Sequence, residues 1–196
     1  NYKAREFGVK KGMYLGRAKQ LCPDLVVLHY DFEGYEEVSE QVLEILHRTA
    51  AAHGGSVEVV SCDEAYMELS LANDDGHATA LAAQLAESVR KEIFETTQCT
   101  ASIGSGDNKF LAKLGTDRCK PDGSYVVKDY RMLLEGLKLR DLHGIGYRSE
   151  PKLAVAGLVT VQDVWYLGAN AEAMLNRCLG PGLGPKIFRF CQGQDD

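Results

Sequence analysis

The stretch Val57-Glu58-Val59-Val60-Ser61-Cys62-Asp63-Glu64-Ala65-Tyr66-Met67-Glu68-Leu69 decides the fold. Residues 57–60 and 65–69 are β-rich, and in the second run Ala65, Met67 and Leu69 alternate with Tyr66 and Glu68. The pattern predicts two strands flanking residues 61–64. Immediately upstream, Val38, Val42, Ile45, Leu46 and Thr49 keep helical spacing, so residues 35–49 read as an amphipathic helix that Gly54-Gly55 ends. Downstream, Asn73-Asp74-Asp75-Gly76 is a turn. A second amphipathic helix over residues 77–94 leads to a strand over residues 100–104. With the β-rich run 25–30 placed in front, the order is β-α-β-β-α-β, the split βαβ or ferredoxin-like arrangement of an α+β protein.

Outside this block the chain is simpler. Residues 2–7 read as a short helix closed by Gly8, and a basic segment (Lys10, Lys11, Arg17, Lys19) runs to Pro23, which stops any helix. On the other side, a helix over 107–118, a turn at Lys120-Pro121-Asp122-Gly123 and a short strand over 124–128 precede a stretch that is helical in pieces. Gly144-Ile145-Gly146, Gly157, Gly168 and Gly180-Pro181 punctuate it, and a helical subdomain is expected. The opening residues read as a helix already under way, with no initiator Met, which predicts a fragment.

Composition narrows the class. With 196 residues, 45% hydrophobic and 26% charged, the chain matches globular averages and is long enough to bury roughly 70% of its unfolded surface. Apolar runs span only a few residues, too short for a transmembrane helix. Cys22, Cys62, Cys99, Cys119, Cys178 and Cys191 form no CxxC pair and read as reduced, mostly buried thiols. Charge is uneven: residues 1–30 carry +4, residues 31–95 carry −12 and residues 96–140 carry +3. A net acidic chain binds nucleic acid poorly in general. A basic lobe beside an acidic one can nevertheless hold a phosphate ligand next to a metal.

Four groups of residues carry chemistry. Asp63-Glu64 places two anions at the edge of an apolar hairpin, and Mg²⁺ with phosphate oxygens is the usual compensation in phosphoryl-transfer sites; a solvated acidic turn is the plainer reading. Gly144-Ile145-Gly146, ahead of a helical stretch over 149–156 with Pro151 in its first turn, fits a helix-hairpin-helix whose backbone N–H groups meet a DNA phosphate; a helix-connecting turn fits equally. Lys109 and Lys113 share one helix face, which is more often solvated than functional, and Arg118 and Lys120 follow. Pro121 holds Lys120 extended, where it can reach an anion above the sheet. Tyr2 and Arg5, at i and i+3, with Lys11 beyond Gly8, supply a phenol and a guanidinium fork suited to phosphate.

Taken in order, Tyr2-x-x-Arg5, Ser61-Cys62-Asp63-Glu64-Ala65-Tyr66, Ala101-Ser102-Ile103-Gly104-Ser105-Gly106-Asp107-Asn108-Lys109-x-Leu111-Ala112-Lys113, Lys120-Pro121-Asp122-Gly123 and Leu142-His143-Gly144-Ile145-Gly146 resemble the Y-family translesion DNA polymerases over essentially the whole chain. Cys62, Lys19-Gln20-Leu21-Cys22-Pro23, Tyr30-Asp31-Phe32 and Phe188-Arg189-Phe190-Cys191-Gln192-Gly193 with Asp195-Asp196 are most similar to the Rev-type deoxycytidyl transferases. The resemblance implies fingers at 1–30, palm at 31–128 and a helical thumb with a helix-hairpin-helix at 129–196. It implies that Asp63 and Glu64 are catalytic carboxylates binding Mg²⁺, that Tyr2, Arg5, Lys11 and Lys120 hold the triphosphate of an incoming dNTP, dCTP in the Rev-type branch, and that Gly144, Ile145 and Gly146 meet primer-template DNA. A nuclear location and other translesion subunits as partners go with it. The third metal-binding Asp, the first palm strand and the arginine that pairs with dCTP are expected upstream of Asn1, and a DNA-gripping domain after Asp196. Residues 1–196 alone are therefore expected to be inactive. A template-directed polymerase of another branch and a non-catalytic DNA-binding scaffold are the rival readings.

Overall fold

The computed structural model describes residues 1–71 and 77–195; the turn expected at 73–76, and Asp196, lie outside the described residues. The chain opens with two short helices, α1 (Tyr2–Glu6), capped by the Asn1 side chain, and α2 (Leu15–Leu21). Helix α2 is additional to the sequence reading, and it ends just before Cys22-Pro23 as the proline requires. Residues 25–30 then run to α3 (Phe32–Ala52), whose N-cap Asp31 accepts a hydrogen bond from the Gly34 amide at 3.1 Å. The helix thus begins three residues earlier than its apolar periodicity shows, because the cap and not the period sets the start.

Residues 25–30 do not form the expected leading strand. Val26, Leu28 and Tyr30 are 76%, 84% and 81% exposed, and the segment pairs with no strand among the described residues. β-rich composition makes a strand only where the backbone groups find a partner. The hairpin does form: β1 (Ser56–Ser61) pairs antiparallel with β2 (Glu64–Glu68). After α4 (His77–Thr97), strand β3 (Ser102–Ser105), helix α5 (Lys109–Cys119) and strand β4 (Gly123–Val126) make a βαβ unit with parallel strands. The described strands therefore form two two-stranded sheets in place of one continuous sheet.

A small core of Ile45 from α3 with Val89 and Ile93 from α4, joined by Ala101 and Ile103, packs the helices onto β3. Helix α5 lies on β3 so closely that a Cβ at Gly104 would sit 2.1 Å from the Ala112 carbonyl oxygen. Only glycine fits there. The remaining chain is helical: α6 (Tyr130–Leu134), a 3₁₀ turn at Leu139–Asp141, α7 (Glu150–Val155), α8 (Val161–Tyr166), a 3₁₀ turn at Gly168–Asn170, α9 (Ala171–Leu179) and α10 (Gly184–Cys191). Its core holds Leu134, Leu139, Leu142, Leu153, Val161, Val164, Leu175 and Ile187, and it also takes in Phe110 and Leu111 of α5. Helix α5 is thus shared between the two halves. All six cysteines are free thiols, although Cys62 and Cys99 are exposed and not buried as expected.

Candidate active site

The β1–β2 hairpin turns through Cys62 and Asp63. Val59 faces Ala65 but Ser61 faces Glu64, so Val60 is an extra residue in β1, a bulge that bends the strand just before the turn. Glu58 lies opposite Tyr66, and Glu64 is two residues from Tyr66 on the same face, so these three project together. The other face carries Val57, Val59, Ala65 and Met67. Asp63, in the turn, is exposed and accepts a 2.8 Å hydrogen bond from the Ser61 hydroxyl. Glu64, the first residue of β2, is half-buried and accepts from Lys113 Nζ.

The lysine face of α5 is engaged, although both ammonium side chains remain more than a third exposed. Lys109 donates to Glu58 and sits 5.7 Å from the centre of the Tyr66 ring, while one turn on Lys113 takes Glu64. The bond to Glu58 raises the affinity of Lys109 for its proton. Burial pushes the Tyr66 hydroxyl above its ordinary value, against the pull of Lys113 and Lys109 and with the push of Glu64 and Asp195. Spacing gave the shared face of Lys109 and Lys113. The acidic face opposite them was readable from the strand alternation, but nothing local says that the two faces meet.

Lys120 closes α5 in extended geometry, φ −63° and ψ 143°, as a residue before proline should. Its ammonium donates to Asp117 at 2.8 Å. That bond raises its pKa, against desolvation. In α1 the Arg5 guanidinium stacks 5.1 Å from the Tyr2 ring centre. Among the described residues, no hydrogen bond, ion pair or ring contact joins Lys11 to Tyr2, Arg5 or Lys120.

The glycine hairpin belongs to the helical half. Gly144 has φ +99°, Ile145 is 8% exposed in the larger core, and α7 follows with Pro151 in its first turn. The element before it is a single 3₁₀ turn, and Arg140 from that turn bonds Glu150 at 3.2 Å, an ion pair across the hairpin that the sequence did not announce. Gly146 differs from Gly144: a Cβ there would meet open space.

Among the described residues, no group of three or more His, Cys, Asp or Glu is placed to hold a metal. Asp63 and Glu64 do supply adjacent hard oxygen donors. That donor set fits Mg²⁺, which commonly binds through one or two carboxylates with substrate phosphates and water filling the other positions.

Residues 1–117 match the impB/mucB/samB family. The chain belongs to that family. Residues 140–195 of this impB/mucB/samB chain match the DNA polymerase-iota thumb domain, which covers the glycine hairpin. Its relatives include DNA polymerase IV of Xanthomonas euvesicatoria pv. vesicatoria (strain 85-10), 42% identical over 198 residues, and the DNA repair protein Rev1 of Drosophila melanogaster, 35% identical over 199 residues. Both alignments cover 100% of this chain, but only 52% of the polymerase IV and 19% of the Rev1. The chain therefore spans about half the length of the polymerase IV relative. The insertion ternary complex of Dbh DNA polymerase superposes with a TM-score of 0.83 at 27% identity, over 100% of this chain and 55% of that one. The fold of this family member is the mixed α/β catalytic core of the Y-family polymerases, with a helix-hairpin-helix thumb.

Proposed function

We propose that the chain is the catalytic core of a translesion DNA polymerase, which transfers a nucleotidyl group from a deoxynucleoside triphosphate to a primer 3′-hydroxyl. The observation that supports this is the carboxylate pair Asp63-Glu64 at the β1–β2 turn, with Lys113 bonded to Glu64, in a chain whose residues 1–117 match the impB/mucB/samB family. Asp63 and Glu64 hold Mg²⁺, which when bound supplies Lewis-acid stabilisation at the reacting phosphate. Tyr2, Arg5 and Lys120, with Lys11 from the same lobe, take the triphosphate charge. The backbone at Gly144, Ile145 and Gly146 meets a phosphate of the primer-template. In this reading residues 1–30 are fingers, 31–128 palm and 129–196 thumb. Similarity to a Dbh structure that is an insertion ternary complex supports it.

For the nucleotide we assign dCTP, on the Rev-type residues Cys62, Tyr30-Asp31-Phe32 and Phe188–Gly193 and on the Rev1 relatives aligned over the whole chain. A nuclear location goes with that assignment. The higher identity to polymerase IV, 42% against 35%, favours a template-directed enzyme instead. Single-nucleotide incorporation opposite each of the four template bases, by the protein that carries this chain, separates them. Transfer of dCMP opposite all four supports the Rev-type reading, incorporation that follows the template base replaces it, and no Mg²⁺-dependent transfer at all removes the polymerase reading.

A further inference from the structure

Helix α5 faces two ways. Its Phe110 and Leu111 are buried with Ile187, Phe190 and Cys191 of α10, while its Lys109 and Lys113 reach Glu58 and Glu64 on the hairpin. Its first turn is held by groups from the far end of the chain. Asn108 caps it, accepting from the Leu111 amide at 2.9 Å, and the same side chain donates to the Gly193 carbonyl at 2.8 Å. The Phe110 amide donates to the Asp195 carboxylate at 3.0 Å. Beneath these bonds the Phe110 and Phe190 rings stack at 4.3 Å, with planes 11° apart. First-turn amides have no partner inside their helix, and a carboxylate there also meets the positive end of the helix dipole.

Asp195 is presented on a fixed support. The Gly193 and Gln194 amides bond the Phe190 and Arg189 carbonyls at 3.0 Å each, and Trp165 Nε1 donates to the Cys191 carbonyl at 2.6 Å. A Cβ at Gly193 would lie 2.5 Å from the Tyr130 ring, so the approach needs glycine. Its bond to the Phe110 amide sets Asp195 against the first turn of α5, where Phe110 is next in sequence to Lys109.

We infer that Asp195 is a positioning residue for the candidate active site. By tying the first turn of α5 to the end of α10, it sets where Lys109 and Lys113 meet Glu58 and Glu64. The placement of the helical half and the placement of the Glu64 carboxylate are thereby fixed together. The inference rests on the reading of Asp63-Glu64 as the reaction centre.

The test compares Asp195→Ala with Asp195→Asn, which keeps a carbonyl acceptor and loses the charge. In the chain, amide exchange at Phe110 and the ¹⁵Nζ resonance of Lys113 are read, with Glu64→Gln marking the resonance of a lysine without its partner. In the protein that carries the chain, kcat and the nucleotide KM are read. Asp195→Ala should speed Phe110 exchange about tenfold and move the Lys113 resonance toward the Glu64→Gln position. It should lower kcat about tenfold with the nucleotide KM unchanged, and Asn should restore most of each signal. In a Lys113→Met background, Asp195→Ala should cost no further kcat, because the two act through one link. A Lys113 resonance that stays in place while Phe110 exchange quickens makes Asp195 a helix cap only and overturns the inference, as do fully additive losses. If the Ala variant does not fold, Asp195→Ser against Asp195→Asn gives the same comparison. If the unaltered protein transfers no nucleotide, the polymerase reading falls, and the Lys113 resonance still decides on Asp195.

Discussion

Lys113 donates to the carboxylate of Glu64, 49 residues earlier in the chain, and so pins the first residue of β2 to the helix that follows β3. Both side chains are more than a third exposed, and pairs of that kind contribute about 0–1 kcal/mol to stability. The pair places an anion more than it stabilises the fold. Asp63→Asn and Glu64→Gln preserve shape and remove charge, so each should leave the melting temperature within a few degrees of the parent while nucleotidyl transfer falls by more than tenfold, about 1.4 kcal/mol of barrier. Transfer above about a tenth of the parent rate in both variants would remove the carboxylates from the reaction.

Gly144 and Gly146 should respond differently to substitution. Gly144 has φ +99°, and a Cβ there would lie 2.9 Å from Leu183, so Gly144→Ala should cost about 1–2 kcal/mol of stability for the backbone alone. Gly146 has open space. Gly146→Val should therefore fold normally and act only where the backbone is approached from outside, weakening primer-template binding with little effect on nucleotide binding. Normal DNA affinity in a folded Gly146→Val would take the hairpin out of the interface.

The hairpin and the two long helices were legible because each carries its own period: the alternation of Ala65, Met67 and Leu69, and the helical spacing of Val38 to Thr49. Lys120 was legible because Pro121 acts on its neighbour. Helix α2 was not, since Leu15, Ala18 and Leu21 lie among charges with no cap in front; Tyr14 makes no capping bond. Residues 25–30 were misread for the opposite reason, because their composition favours a strand but pairing decides it. The partners of α5 left no local trace. Lys113 meets Glu64, and Asn108 and Phe110 meet residues 85 positions away, and spacing within one element cannot show what another element brings to it.

Acid should weaken the helical half through Asp163. Its carboxylate accepts from the Thr160 and Val159 amides at 2.7 and 2.9 Å and from the Thr160 hydroxyl, closing the capping box of α8. The Thr160 amide first, then that of Val159, holds its pKa below the ordinary carboxylate value. The folded pKa is therefore lower than the unfolded one, so the stabilisation is present above the unfolded value and is lost as pH falls through the folded value. Asp163→Asn should be less stable than the parent by about 1 kcal/mol near neutrality, and the difference should shrink as pH drops below ~4. A constant difference across that range would refute the linkage.

Thiol reactivity should follow burial. Cys191 is fully buried, and burial pushes its thiol up to about 12, whereas Cys62 and Cys99 are exposed. Iodoacetamide near pH 8, where an unperturbed thiol is partly ionised, should label Cys62 and Cys99 in the native chain and reach Cys191 only after denaturation. Early labelling of Cys191, read by peptide mass, would mean that α10 opens readily.

On the proposed function, Lys120 serves the nucleotide and not the DNA. Its bond to Asp117, opposed by desolvation, raises its pKa. A charge-assisted hydrogen bond to a phosphate contributes about 1.5–3 kcal/mol, so Lys120→Ala should weaken dNTP binding by roughly ten- to a hundredfold and leave primer-template affinity nearly unchanged. Asp117→Asn should act in the other direction. It removes the competing anion and leaves the lysine charged, so nucleotide binding should hold or tighten. The two variants together distinguish a lysine that waits on Asp117 for a phosphate from one that merely closes the end of α5. In the second case Lys120→Ala and Asp117→Asn would lower stability alike and leave nucleotide affinity where it was.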